Sequence, residues 1–122
     1  MTVYVDEPIH PFGNMLMCHM WSADLDELLA MVDLIGVQRR WLQQPPKASW
    51  VHFDISKGKR LLAIRHGAVA TDRYGPVEHC CRLDLVMGDP ERVRRAHEKL
   101  AHIAHIRARH VVERSGQADL FA

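Results

Sequence analysis

The chain has 122 residues, of which 48% are hydrophobic and 25% charged, and its formal net charge is +1. This length and composition fit one folded domain and exclude wholesale disorder and a disulfide-stapled miniprotein. A net charge this small does not attract nucleic acid or acidic membranes to the protein as a whole, so such binding needs a local basic patch. Three cysteines, two of them adjacent, without a signal peptide predict a reducing cytoplasm. No run approaches the roughly 20 apolar residues of a membrane span.

The chain opens with two strand patterns. β-branched residues alternate over residues 2–5, and residues 15–20 are an apolar run short enough for a buried strand. Within the second run, His19 shares a face with Met15 and Met17. A polar side chain is therefore expected among apolar neighbours.

The next segment has the pattern of a helix. Apolar residues fall at helical spacing between 25 and 35, with Asp24 as the N-cap and Gly36 as the stop. A short strand is expected over residues 37–42, and a loop around Pro45-Pro46 follows it.

Residues 50–55 alternate in polarity and form the next predicted strand. His52 and Asp54 point to one face, opposite the apolar side chains. A basic helix over about residues 57–65 should follow, capped by the serine before it, and residues 68–72 should return as another strand.

The second half of the chain contains one more predicted strand and a long helix. The strand covers residues 79–87, and Asp89-Pro90-Glu91 then opens a helix that runs to about Glu113. Ser115-Gly116 should end that helix and leave residues 117–122 as a free tail.

Together these elements predict an α/β (α+β) fold. We expect one domain over residues 1–114, with a small mixed or antiparallel sheet and about three helices, including the long C-terminal one. Residues 115–122 are expected to be a flexible tail.

Several short motifs are shared with a known family. They are Tyr4-Val5-Asp6, Pro11-Phe12-Gly13, Met17-Cys18-His19-Met20, Ile35-Gly36-Val37 with Arg39-Arg40-Trp41, and His52-Phe53-Asp54-Ile55 with Lys59-Arg60. With them the chain resembles domain-of-unknown-function family 4031 of bacteria and phages, over about residues 2–72. Family members usually have Tyr where Phe53 stands, and the family brings no established activity. The resemblance implies that Asp6, His19, His52 and Asp54 belong to one site.

Two imidazoles and two carboxylates in one site suit two kinds of chemistry. They can bind a divalent metal such as Mn, Mg, Fe or Zn, or act as general acid and base without a metal. The start of the basic helix is a natural phosphate position. The expected phosphate and nucleic-acid contacts are Lys57, Lys59, Arg60, Arg39, Arg40 and Trp41. The alternative is that His19 is a hydrogen-bonded core residue, Asp54 a turn or cap residue and the basic residues a solvated face.

The last residues form a separate motif. Gln117-Ala118-Asp119-Leu120-Phe121 resembles the pentapeptide with which bacterial replication and repair proteins dock on the DNA polymerase sliding clamp. In such a peptide Leu120 and Phe121 fill an apolar pocket, Gln117 anchors by amide hydrogen bonds, and Asp119 occupies the Asp-or-Ser position. The alternative is that the two apolar residues cap the protein's own core.

The sequence thus predicts a DNA replication or repair accessory protein, nucleoid-associated through the clamp. Its body would act on nucleic acid or nucleotides as a metal- or His-dependent phosphodiester or nucleotide hydrolase. One alternative is a non-enzymatic clamp-binding adaptor or inhibitor, and another is a small-molecule or metal-binding domain with an incidental tail. A function that depends on His52 and Asp54 would distinguish the enzyme from the adaptor. Binding to the clamp would distinguish both of these from the third hypothesis.

Overall fold

The computed structural model describes the backbone of residues 2–121 and the side chains of residues 2–113. The chain forms two compact units, Met1–Pro76 and Val77–Ala122. A mixed sheet with helices, together with a long C-terminal helix, confirms the predicted fold class. The expectation of one domain over residues 1–114 stays a prediction.

The sheet lies in the first unit. Its strands within the described residues are β1 (Val3–Val5), β2 (His10–Phe12), β3 (Met15–Ser22), β4 (Phe53–Ser56) and β5 (Val69–Ala70). Strand β3 is central: β1, β2 and β4 all pair with it in antiparallel fashion, and β5 pairs with β1 in parallel. Because Met17 pairs with both His10 and Ser56, β2 and β4 lie along opposite edges of β3.

Four α-helices occur in the part of the chain that the structure describes. They are α1 (Leu25–Ile35), α2 (Lys57–Arg65), α3 (Gly75–Met87) and α4 (Pro90–Phe121). Among these helices, none is both long enough and apolar enough to cross a membrane.

Helices α1 and α2 cover one face of the sheet. The first unit's core joins buried residues of both helices to the inward side chains of the strands, among them Cys18, Met20, Phe53 and Ile55. Residues that alternate with these, including His19 and Asp54, therefore lie on the opposite face. This confirms the faces predicted for β3 and β4.

Helix α1 begins and ends as predicted. The Asp24 carboxylate accepts hydrogen bonds from the backbone N–H groups of Asp26, at 2.9 Å, and Glu27, at 3.4 Å. At the other end Gly36 adopts a left-handed conformation with a φ of 74°, which glycine reaches without steric cost.

Replacing Asp24 with Ala is expected to lower the free energy of unfolding by about 1 kcal/mol, because two helix-end N–H groups lose their acceptor. Urea unfolding followed by circular dichroism measures the loss. Asp26→Ala is the control, since it removes a carboxylate from the same helix turn but keeps the cap. Equal losses in the two variants would show that charge at the helix end, and not capping, is responsible.

The strand predicted over residues 79–87 is wrong, because this segment belongs to helix α3. Cys81, Leu83 and Leu85 alternate in the sequence like the buried face of a strand. In the structure, however, Leu83 is exposed, whereas Glu78, Cys81 and Leu85 share the less exposed side at helical spacing. A short alternating run therefore misled the prediction.

The strand predicted over residues 37–42 is also wrong. Arg39–Trp41 form a 3₁₀ turn, and only Gln43 pairs in a β-bridge, with His52. The turn is held by Arg39, whose guanidinium donates two hydrogen bonds to the Asp33 carboxylate at 3.0 and 2.7 Å.

Helix α4 starts as predicted but does not end where expected. The Asp89 carboxylate caps it by accepting from the backbone N–H of Arg92 at 2.9 Å. The predicted stop at Ser115-Gly116 is wrong, because the helix continues to Phe121. One glycine in a helix costs only about 1 kcal/mol relative to alanine, so it need not end one. The side chains of residues 114–122, and with them those of the predicted clamp motif, lie outside the described residues.

Candidate functional site

The sheet face away from α1 and α2 brings the predicted site residues together. His19 on β3 stands directly opposite Asp54 on β4, and His52 precedes Asp54 by two residues on the same face. Asp6 directly follows β1, beside β3, and its backbone N–H donates to the His19 carbonyl at 3.2 Å. Four residues from three separate stretches of chain thus converge, as predicted.

Asp6 is the buried anchor of the cluster, with a relative exposure of 2%. One carboxylate oxygen, Oδ1, accepts from the His19 backbone N–H at 2.6 Å, and the other, Oδ2, lies 2.7 Å from the His19 Nδ1. Since a carboxylate can only accept, Nδ1 carries the hydrogen, and Nε2 of the neutral ring keeps its lone pair. The same hydrogen bond to Asp6 is the main reason why the pKa of His19 is raised above 6.5.

His52 is held in the same way by a backbone group. Its Nδ1 lies 3.1 Å from the carbonyl oxygen of Trp50, so Nδ1 is again the donor and Nε2 the free acceptor of the neutral ring. The Trp50 ring stacks on the imidazole with 4.2 Å between centroids. Both histidines therefore have a fixed orientation.

Asp54 completes the cluster from its solvent side, with its side chain 47% exposed. Its Oδ1 lies 3.5 Å from Nε2 of His52 and 3.9 Å from Nε2 of His19. The Nε2 side of the His52 ring faces this carboxylate as its hydrogen-bond partner. That hydrogen bond is the main reason why the pKa of the Asp54 carboxyl lies below its usual value, and the charge of His19 adds to it.

Two groups within the described residues could hold a metal ion, and both belong to this cluster. One is Asp6 with His10 and His19, and the other is His19 with His52 and Asp54. In each group the three ligand atoms lie within 4.8 Å of one another.

A pocket of about 660 Å³ opens on the cluster. It is lined by His10, Pro11, Phe12, Met15, Met17, His19, Trp41, Gln43 and Asp54. Sequence reasoning missed His10, whose ring packs edge-on against His19 at 4.7 Å. The available signal was Gly13-Asn14, a two-residue loop typical of a β-hairpin, which makes residues 10–12 the partner of β3.

Two of the cations predicted to hold phosphate donate to backbone carbonyls instead. Lys59 Nζ donates to the carbonyl of Ile35 at 2.8 Å, and Arg60 Nε donates to the carbonyl of Asp6 at 2.8 Å. Both side chains thus fasten α2 to its neighbours, which the basic pattern alone could not reveal.

The remaining predicted contacts have different surroundings. Arg39 is paired with Asp33 at 2.7 Å, and Lys57 is exposed at the start of α2. The Arg40 guanidinium lies over the Trp41 ring, 5.0 Å from its centroid, and Trp41 lines the pocket. Of the predicted phosphate and nucleic-acid contacts, Trp41 is therefore the one that faces the cluster's pocket.

Cys18, the neighbour of His19, faces the opposite side of the sheet and takes no part in the cluster. It is 1% exposed, and burial raises the pKa of its thiol to about 12. The free thiol is therefore protonated near neutral pH and is a poor nucleophile.

Comparison with known proteins identifies the family but not an activity. No curated protein and no solved structure matches the chain. The model of a family described as "Protein of unknown function (DUF4031)" matches residues 3–82. This range extends about ten residues beyond the predicted end of the resemblance near Asp72 and contains the whole cluster. Because the match covers about two thirds of the 122 residues, the chain belongs to the DUF4031 family.

Proposed function

We propose that His19, His52 and Asp54 hold a divalent transition-metal ion and that the site hydrolyses a phosphoester bond. The observation that carries this proposal is the position of Asp54 Oδ1, which faces Nε2 of both histidines at 3.5 and 3.9 Å. Two imidazoles and one carboxylate are a donor set typical of zinc and non-haem iron sites that keep open positions for water or substrate.

The distances support a shared ion. Ligand atoms bound at about 2.1 Å to a tetrahedral ion lie roughly 3.4 Å apart. The separation of 3.5 Å between His52 and Asp54 fits this edge, and the 3.9 Å between His19 and Asp54 is slightly long. Because the Asp54 side chain is about half exposed, a small rotation can close that difference.

The hydrogen bonds behind the ligands support the same assignment. A metal-binding histidine usually donates its other ring N–H to a carboxylate or a carbonyl, which fixes the ring and strengthens it as a ligand. His19 donates to Asp6 in this way, and His52 donates to the Trp50 carbonyl. Asp6 is then an orienting residue behind the site and not a ligand.

The alternative group, Asp6 with His10 and His19, is less suitable. Both Asp6 oxygens already accept short hydrogen bonds from His19, at 2.6 and 2.7 Å. An ion held there would compete with them, whereas Nε2 of His19 and His52 point toward Asp54. We therefore favour the set that contains Asp54.

Phosphoester hydrolysis is the reaction that best suits this site. An ion bound here would lower the pKa of a coordinated water to about 7 and would draw charge from a phosphoryl oxygen. The ion would supply the positive charge here, since Lys59 and Arg60 donate to backbone carbonyls and neither residue lines the pocket. In this hydrolysis the water oxygen forms a bond to phosphorus and the ester P–O bond breaks. A proton of the water is transferred to the leaving alcohol. Asp6 and both histidines are held by hydrogen bonds beside this point, and Asp54 faces it from the solvent side.

Asp54→Asn tests the proposal, because an amide has nearly the same shape but is a poor ligand. We expect hydrolysis of bis(p-nitrophenyl) phosphate by the full chain, after chelation and re-addition of Zn²⁺ or Mn²⁺, to fall by roughly 100-fold or more, a typical loss when one activating group is removed. His66→Ala should hydrolyse at the wild-type rate, since His66 is exposed outside the pocket.

Activity that survives both the chelator and Asp54→Asn would contradict a metal-dependent hydrolase. Activity that is lost in His10→Ala but kept in Asp54→Asn would assign the ion to the alternative group.

The clamp motif supports a second proposal, that Gln117-Ala118-Asp119-Leu120-Phe121 docks the chain on the DNA polymerase sliding clamp. The observation in its favour is the order of these residues near the end of α4. Tethering would raise the effective concentration of a weakly binding site next to DNA, which would make the protein a replication or repair accessory factor.

Calorimetric titration of the full chain against a bacterial sliding clamp tests docking, and saturable binding is expected. Docking without any hydrolysis would favour the adaptor or inhibitor. Hydrolysis without docking would leave the enzyme and remove its replication role.

A further inference from the structure

Two large aromatic side chains stand exposed in the pocket beside the proposed metal site. Phe12 is 69% exposed and Trp41 is 55% exposed, and both line the pocket that also contains His19 and Asp54. Exposed apolar residues scattered singly are ordinary, but two aromatic rings in one concavity beside polar site residues mark a ligand pocket.

The two rings reach the pocket from opposite sides of the central strands. Phe12 belongs to β2, which lies along one edge of β3. Trp41 ends the turn before Gln43, and Gln43 pairs with His52, just before β4 on the other edge. A planar ligand entering between these two sides would meet aromatic surface on its way to His19 and Asp54.

Polar groups of the right kind accompany the aromatic surface. Gln43 also lines the pocket, and its amide can both donate and accept hydrogen bonds. The Arg40 guanidinium over the Trp41 ring at 5.0 Å brings positive charge to the same aromatic side chain. Proteins that bind single-stranded nucleic acid combine these features, aromatic rings for stacking and cations for the backbone.

We infer that this pocket binds an unpaired nucleobase, stacked on Trp41 and Phe12, whose phosphate lies toward His19 and Asp54. The inference rests on the proposed function, since the metal site determines which end of the pocket takes the phosphate. A volume of about 660 Å³ lies within the roughly 300–1,000 Å³ of ligand pockets, so a nucleoside fits. A base within a duplex is stacked and paired, so it could enter only after being flipped out of the helix, at a cost of about a few kcal/mol. The substrate class is therefore a free nucleotide or a single strand.

Fluorescence polarisation of a labelled single-stranded oligonucleotide, measured with the full chain in chelator, tests this inference without requiring hydrolysis. Trp41→Leu should weaken binding by about 5- to 150-fold, the loss seen when one stacking ring is removed. Trp41→Phe should restore most of the affinity because it keeps an aromatic face. Leu34→Ala removes a similarly exposed apolar residue outside this pocket and should change nothing.

Four unlabelled competitors identify the ligand: the single strand itself, a nucleoside monophosphate, ribose 5-phosphate and a duplex of the same sequence. Competition by the nucleotide as well as by the single strand supports a free-nucleotide substrate, and competition by the single strand alone supports a nucleic-acid substrate. Equal competition by ribose phosphate or by the duplex overturns the inference, as does wild-type affinity in Trp41→Leu.

The two proposals fail separately. Aromatic-dependent binding of single strands without phosphoester hydrolysis would overturn the hydrolase and leave the base pocket standing. Asp54-dependent hydrolysis together with wild-type oligonucleotide affinity in Trp41→Leu would leave the hydrolase and overturn the pocket.

Discussion

Replacing both Leu120 and Phe121 with Ala is expected to abolish binding to a bacterial sliding clamp while the melting temperature stays nearly unchanged. Burial of each large apolar side chain in the partner's pocket should contribute about 1.5–3 kcal/mol. The double variant should therefore lose at least about 100-fold in affinity. Calorimetric titration measures the affinity, and a thermal melt of the free chain measures the stability.

The helical backbone of α4 up to Phe121 adds one requirement to this prediction. A clamp peptide docks in an extended form, so the last helical turn would have to unwind. The final four carbonyls of a helix have no partner within it, and its ends fray readily, which keeps that cost small. Asp54→Asn is the matched control, because the proposed metal site and the tail should act independently. Wild-type clamp affinity in the double variant, or a lower melting temperature, would show that these side chains serve another role.

The parts of the fold that could be predicted were those with local chemical signals at both ends. Asp24 and Gly36 mark the limits of α1, and Ser56 caps α2, so both helices could be placed from sequence. The alternation of Phe53 and Ile55 with Asp54 likewise assigned the two faces of β4 correctly.

The errors arose where tertiary contacts decide the structure. Alternating residues of α3 imitate a strand, and a sequence of nine residues cannot distinguish the two periods reliably. Strand β2 was not predicted, because it contains Pro11 and proline usually interrupts a strand. Proline is nevertheless tolerated on an edge strand, and within the described sheet β2 pairs only with β3.

The convergence of Asp6, His19, His52 and Asp54 could be predicted, but the arrangement of their hydrogen bonds could not. Residue spacing places His52 and Asp54 on one face, and only the pairing of β3 with β4 sets His19 opposite Asp54. The proposed division into metal ligands and an orienting carboxylate depends on hydrogen-bond directions, such as that from His19 to Asp6. The positions of His10 and Phe12 beside the cluster could be seen only once the hairpin of β2 and β3 was known. The hydrogen bonds of Lys59 and Arg60 to backbone carbonyls likewise depend on the tertiary structure.

Asp6→Ala should have the largest effect on the first unit and on the proposed metal site. Asp6 is 2% exposed, and its carboxylate accepts two hydrogen bonds from His19 at 2.6 and 2.7 Å. Hydrogen bonds to a charged group contribute about 1.5–3 kcal/mol each, so the free energy of unfolding should fall by roughly 3 kcal/mol or more. Affinity for Zn²⁺ should fall about 10- to 100-fold in the folded variant, the usual cost of losing a partner behind a ligand.

Asp6→Asn removes the negative charge of the side chain but keeps its shape. The difference in free energy of unfolding between this variant and the wild type should therefore depend on pH. Because the pKa of His19 is raised above 6.5 in the folded chain, chiefly by its hydrogen bond to Asp6, the ion pair stabilises the fold fully below pH 6.5. That contribution is lost as the pH rises through the folded pKa. Urea unfolding in chelator should therefore show a larger difference between wild type and Asp6→Asn at about pH 5.5 than at about pH 9. A difference that grows with pH would mean that Asp6 does not hold a protonated His19. Stable Asp6→Asn protein with wild-type affinity for Zn²⁺ would likewise remove Asp6 from its orienting role and leave only the three proposed ligands to define the site.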